Sequence, residues 1–165
     1  MADLTPTEAA VLDAVAEAAA VDLLCRLVAV PSVGGTAAES EVQALVAAEL
    51  DGLGCDVDRW EIDLAAAAAA PDAPGQEVER EEAWGVVGTL PGTEAGDPAL
   101  VLCGHTDVVP TGDRALWGGD PFTPRLSGGA VHGRGTCDMK GGLAASLAAL
   151  AAVRAAGRAA SRRRR

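Results

Sequence analysis

Five consecutive apolar residues, Ala99-Leu-Val-Leu-Cys103, constrain this chain more than any other feature. A short run with no polar alternation fits a strand covered on both faces, the kind found inside a mostly parallel or mixed sheet. Its neighbours support a sheet. Val57, Trp60, Ile62 and Leu64 read as a strand with one irregularity near Arg59, and Trp84 to Leu90 as another that stops at Pro91-Gly92. Ala130 to His132 reads as a brief third.

Helical spacing surrounds these strands. Thr5-Pro6-Thr7-Glu8 has the form of a capping box with Pro at the first helical position. Leu12, Val15, Ala19, Leu23, Leu27 and Val30 follow at intervals of three and four, which predicts one long helix ending near Pro31. Thr36-Ala37-Ala38-Glu39 repeats the capping signature before Val42, Leu45, Val46 and Leu50, and Gly52 and Gly54 stop that second helix. The six alanines at 65–70 and the segment Pro71 to Glu82 read as a surface excursion. From Asp138 to about Ala156 a last helix carries Leu143, Leu147, Leu150 and Val153 on one stripe. The order helix, helix, strands, helix predicts an α/β layered domain with helices flanking the sheet.

Charge narrows the function. The formal net charge is -11. Only seven basic residues precede Ala151: Arg26, Arg59, Arg80, Arg114, Arg125, Arg134 and Lys140. So acidic a body argues against a nucleic-acid partner. The terminal run Arg162 to Arg165 reads as a solvated end, the rival being a nucleic-acid arm. The Ala-rich stretches read as too short and interrupted to span a bilayer, so no membrane partner is expected. Cys25, Cys55, Cys103 and Cys137 show no disulfide spacing, and Met1-Ala-Asp-Leu-Thr lacks the basic start of an export signal. Four free thiols and a cytoplasmic location follow as expectations.

Two constellations carry chemistry. Gly104-His105-Thr106-Asp107 follows the apolar run, and ligand sites in open α/β sheets lie at the carboxyl ends of strands. Residues two apart in extended chain face the same side, so His105 and Asp107 can share a pocket. There a carboxylate can orient a metal-binding imidazole, although an ordinary surface pair has the same spacing. The second is Gly133-Arg-Gly-Thr-Cys-Asp-Met-Lys-Gly-Gly142, between a short strand and a helix. Asp138 either caps the helix or sets a carboxylate against a cation. The Walker and Rossmann glycine patterns are absent, which sets aside a nucleotide site.

Taken together, "VLCGHTDVVP", "WGGDPFTP" and "HGRGTCDMKGG", with "GVVGTLPG" upstream, resemble the M20 family of metallopeptidases and amidohydrolases. The resemblance implies a zinc-exopeptidase-like domain that hydrolyses amide bonds in N-acyl amino acids or small peptides. It implies that His105 is a metal ligand, that Asp107 orients it and is catalytic, and that Asp138 bridges two divalent ions. Those ions are zinc in the usual case, with cobalt or manganese as alternatives. His132 is read as structural, Cys103 and Cys137 as small core residues, and Trp117 and Phe122 as packing over the site. Arg134 is expected to anchor the Gly turn, and Lys140 to pair with an acidic side chain.

The family pattern continues with a Glu-Glu pair, a further carboxylate and a distal His, whereas no Asp, Glu or His follows Gly142 here. The expectation is therefore residues 1–157 as the N-terminal part of a catalytic domain, incomplete on its C-terminal side. Residues 158–165 would be an unrelated Arg-rich tail. The metals would be incompletely liganded, and the dimerisation domain through which full-length members pair would be missing. The rival reading is a non-catalytic fragment or interaction module.

Overall fold

The computed structural model describes residues 4–73, 75, 78–92 and 100–162. Five helices and two small antiparallel ribbons make up its regular structure. Helices α1 (Pro6–Asp13) and α2 (Glu17–Ala29) replace the single long helix that the spacing predicts. The capping box is present: the Thr5 hydroxyl accepts from the Glu8 N–H, and the Glu8 carboxylate accepts from the Thr5 N–H. The break at residues 14–16 has a packing cause. α1 buries no residue, Leu12 and the following Val15 are exposed, and α2 buries Leu23, Leu27 and Val28.

Helix α3 (Ala38–Gly52) buries Val42, Val46 and Leu50. The second capping box does not form. Ala37 is the N-cap, the Thr36 hydroxyl donates to the Val33 carbonyl, and the Glu39 carboxylate accepts from the Gly35 N–H. β1 (Asp56–Glu61) pairs antiparallel with β2 (Trp84–Thr89) in one unbroken register, without the irregularity expected near Arg59. Both strands pack on α3. Gly88 lets Leu50 of α3 pack close onto β2, since a Cβ at this position would come within 2.7 Å of the Leu50 side chain. Between the strands, α4 (Leu64–Ala69) is an exposed alanine helix capped by Asp63.

A second ribbon joins β3 (Arg125–Ser127) to β4 (Ala130–His132), the brief strand expected from the sequence. Helix α5 (Gly141–Arg162) follows a wide turn over Thr136–Lys140 and packs against α1 and α2. It buries Ala144, Leu147, Ala152 and Ala156. Of the stripe expected there, Leu147 is buried, Leu143 and Leu150 are partly so, and Val153 is exposed. The stretch Thr136–Gly157 does satisfy the length and hydropathy of a bilayer-crossing helix, contrary to the sequence reading. Within the fold α5 buries one stripe, Ala144, Leu147, Ala152 and Ala156, and leaves the rest of its described surface half-buried or exposed. The core joins Leu23, Leu27 and Val30 of the α2 region with Val42, Val46, Leu50, Cys55, Ala144 and Leu147.

The apolar run is the main departure. Ala99 lies outside the described residues, and Leu100 to Cys103 form no strand. Leu100 and Val101 are each 73% exposed. A wholly apolar strand gains from burial only where both faces are covered. β1 and β2 pair with each other and β3 with β4, and residues 100–103 join neither two-stranded ribbon, which leaves their side chains in solvent. The fold is mixed α/β, built on two-stranded antiparallel ribbons. Its parallel pairing among the described residues is one isolated bridge, Val33 to Val108. Cys103 and Cys137 are exposed, not core residues; all four thiols are free.

Candidate metal centre

The segment after the apolar run is held from beneath. Ser32 and Thr106 are buried; the Ser32 hydroxyl donates to the Thr106 carbonyl at 2.7 Å, and the Val108 N–H donates to the Ser32 carbonyl at 2.8 Å. Residues 105–108 therefore run beside the chain leaving α2, and extended backbone turns the side chains of His105 and Asp107 outward from that contact.

The turn carrying Asp138 is held equally firmly. Gly135 has φ +81°, and a Cβ there would meet Val108 at 2.5 Å, so glycine lets the turn close onto the 105–108 segment. The Lys140 N–H donates to the Gly135 carbonyl at 2.9 Å and closes the turn. Asp138, with φ -127° and ψ 100°, is extended and is not the N-cap that its place in the sequence suggests.

These supports bring His105, Asp107 and Asp138 together. His105 Nε2 lies 2.9 Å from Asp138 Oδ1. Its Nδ1 lies 3.1 Å from the Asp107 carbonyl and 3.2 Å from Asp107 Oδ1. Burial works against the charged ring, but the Asp138 hydrogen bond, the Asp107 carbonyl and the two carboxylate charges outweigh it and raise the His105 pKa above its ordinary value. The centre is open: the Asp138 side chain is 86% exposed and that of His105 47%. A surface depression of about 750 Å³ is lined by Glu17, Ala18, Val21, Asp22, Cys25 and Leu126 and contains none of the three.

The donor types, one imidazole and carboxylates, suit zinc. Their number does not complete a site. Among the described residues, no cluster of three or more His, Cys, Asp or Glu side chains is placed to hold a metal ion. A catalytic zinc normally takes three protein ligands.

Two neighbours of the centre were not legible in the sequence. Arg80 grips Glu39 with contacts of 3.1–3.2 Å and stands 4.0 Å from Asp107 Oδ2. Glu39 resembled a capping residue and Arg80 lay in an apparent excursion, so no spacing linked them. Lys140 is fully buried and donates to the Leu27 and Val30 carbonyls at 2.7 and 2.9 Å, not to the acidic side chain expected. His132 bonds the Ser127 carbonyl across the β3–β4 ribbon. Arg134 does anchor its turn, donating to the Pro110 carbonyl, with its guanidinium 5.0 Å from the Trp117 ring. Trp117 Nε1 donates to the Thr111 carbonyl, which folds its own loop.

Residues 101–163 match the model of peptidase family M20/M25/M40. Curated relatives extend the likeness upstream. A succinyl-diaminopimelate desuccinylase of Stenotrophomonas maltophilia is 40% identical over 131 residues, covering 79% of this chain and 29% of the relative. One from Rhizorhabdus wittichii is 41% identical over 130 residues, with the same coverage of each chain. One from a Methylobacterium species is 59% identical over 61 residues, 34% of this chain and 15% of that protein. The chain belongs to the M20 family and carries part of its catalytic region. It spans under a third of the length of the first two relatives.

Proposed function

We propose that these residues belong to a metal-dependent amidohydrolase acting on a small N-acyl amino acid, with an N-succinyl diamino acid favoured by the relatives' names. The observation that carries the reading is one imidazole held between two carboxylates, with Asp138 at Nε2 and Asp107 at Nδ1. His105 and Asp138 would hold divalent ions, zinc in the first instance and two in number. Asp107 would fix the tautomer and direction of the ring, as a carboxylate behind a ligating histidine does. When bound, such ions polarise an amide carbonyl and supply a hydroxide nucleophile at neutral pH.

The proton acceptor for that step is not among the residues this chain aligns to the family pattern. A positioned general base contributes about 10²–10⁴ in rate. We therefore propose that residues 1–157 are one portion of a catalytic domain, cytoplasmic in location, and that the chain alone binds zinc weakly and turns over no acyl amino acid. A non-catalytic interaction module is the second reading, favoured by the exposed Leu100–Leu102 run and the small donor count.

Calorimetric titration with zinc separates the two, alongside assays of N-succinyl and N-acetyl amino acids with zinc or cobalt. Weak binding that disappears in His105→Ala and in Asp138→Ala, yet survives His132→Ala, is the expected result. Binding that neither substitution changes, or none in the parent chain, overturns the metal-centre reading. Stoichiometric binding of two ions with turnover overturns the proposed incompleteness.

A further inference from the structure

Lys140 is the charged residue that the chemistry above leaves unused, and it is fully buried. Its ammonium reaches neither Asp107 nor Asp138 but spans the last carbonyls of α2, Leu27 and Val30. The Leu27 carbonyl also accepts the Val30 N–H at 3.3 Å and the Val30 carbonyl the Ser32 N–H at 2.9 Å, and both sit at the negative end of the helix dipole, so a cation is well matched to them. A buried charge is nonetheless a weak way to gain stability, because desolvation consumes most of the attraction. Its use is therefore sought in geometry.

That geometry is specific. Two residues beyond Val30, Ser32 anchors the His105 segment through the Thr106 carbonyl. Lys140 closes the turn that carries Asp138. Both halves of the centre thus hang from one short stretch, residues 27–32. The Lys140 stem also runs close by Gly135, where an added Cβ would lie 3.3 Å from its Cδ, so the side chain and the turn it closes are packed together.

We infer that Lys140 is a positioning residue for the Asp138 carboxylate: by clamping the Thr136–Lys140 turn to the end of α2, it sets the distance between Asp138 and His105. Its bearing on metal binding rests on the reading of His105 and Asp138 as ligands. The placement of the carboxylate against the imidazole does not.

Two readouts keep these apart. In the metal-free full chain, NMR titration of the His105 ring reports the Asp138 contact, with the His132 ring as internal control. Lys140→Met should move the His105 midpoint down toward that of an ordinary histidine and leave His132 unchanged. Lys140→Gln, which keeps a donor for one carbonyl, should give a smaller shift in the same direction and serves where the Met variant does not fold. Zinc titration should then show a loss of affinity of about 10–100-fold for Lys140→Met, the usual scale for groups behind a ligand. Thermal unfolding is read alongside. A lowered midpoint with unchanged His105 titration in any folded variant at 140 makes Lys140 merely structural and overturns the proposal. If His105→Ala leaves zinc affinity intact, the metal reading fails, while the His105 midpoint still decides the role of Lys140.

Discussion

The carboxyl half of α2 and the run Leu100–Leu102 have similar composition and opposite fates. Leu27 and Val28 are wholly buried, whereas Leu100, Val101 and Leu102 are 73%, 73% and 52% exposed. The helix satisfies its own backbone and needs only one covered stripe, which α3 and α5 supply from within the chain. A strand satisfies nothing alone; it needs a paired neighbour and, when wholly apolar, cover on both faces. Apolar character states a demand for burial, and the available partners decide whether it is met.

The comparison breaks first at its buried side. Leu27→Ala should destabilise the chain by about 2–5 kcal/mol, the range for a large-to-small change in a packed core. Leu100→Ala should stay within roughly 0.5 kcal/mol of the parent, as surface changes do. Urea unfolding followed by circular dichroism measures both. A loss at Leu100 as large as at Leu27 means the run is packed against something in solution.

Next in size is the contact that ties the centre to α2. Ser32→Ala removes a buried donor and leaves the Thr106 carbonyl without it, at a cost of about 1–3 kcal/mol. Because residues 105–108 lean on this bond, their amide hydrogens should exchange faster in the variant, while those of β1 and β2 keep their rates. Uniform acceleration throughout would show that Ser32 supports the whole fold and not the centre.

What the sequence disclosed follows the same division. Local features were the more legible: the Thr5–Glu8 capping box, the α3 stripe of Val42, Val46 and Leu50, strand β2 to within a residue, and β1 at its start, although β1 ends at Glu61 and Leu64, read as strand, begins α4. Long-range ones were not. Arg80 meets Glu39 across 41 positions and Lys140 meets Leu27 across 113, and no periodicity encodes such pairs. Residues 105, 107 and 138 drew attention through their chemical types and the family resemblance. The contact between His105 and Asp138 needed the Gly135 turn, whose close approach to Val108 no spacing rule states.

The smallest stability effect is expected at Val101, and it bears most directly on what the exposed run is. Val101→Lys places a cation on a side chain already facing solvent, so folding stability should change by no more than about 0.5 kcal/mol. Association should respond differently. Contiguous exposed apolar residues outside any described strand form a template for pairing with other chains, and an inserted lysine is a recognised block to it. Sedimentation at rising concentration should show the parent chain self-associating and Val101→Lys remaining smaller, with Leu116→Lys as control. Leu116 is 85% exposed but sits in a short turn between loops, where no strand-like edge is offered. A parent chain that stays monomeric, or equal suppression by both substitutions, would refute strand-like pairing at residues 100–103. Suppression at Val101 alone would show that the run retains the pairing demand of a sheet strand.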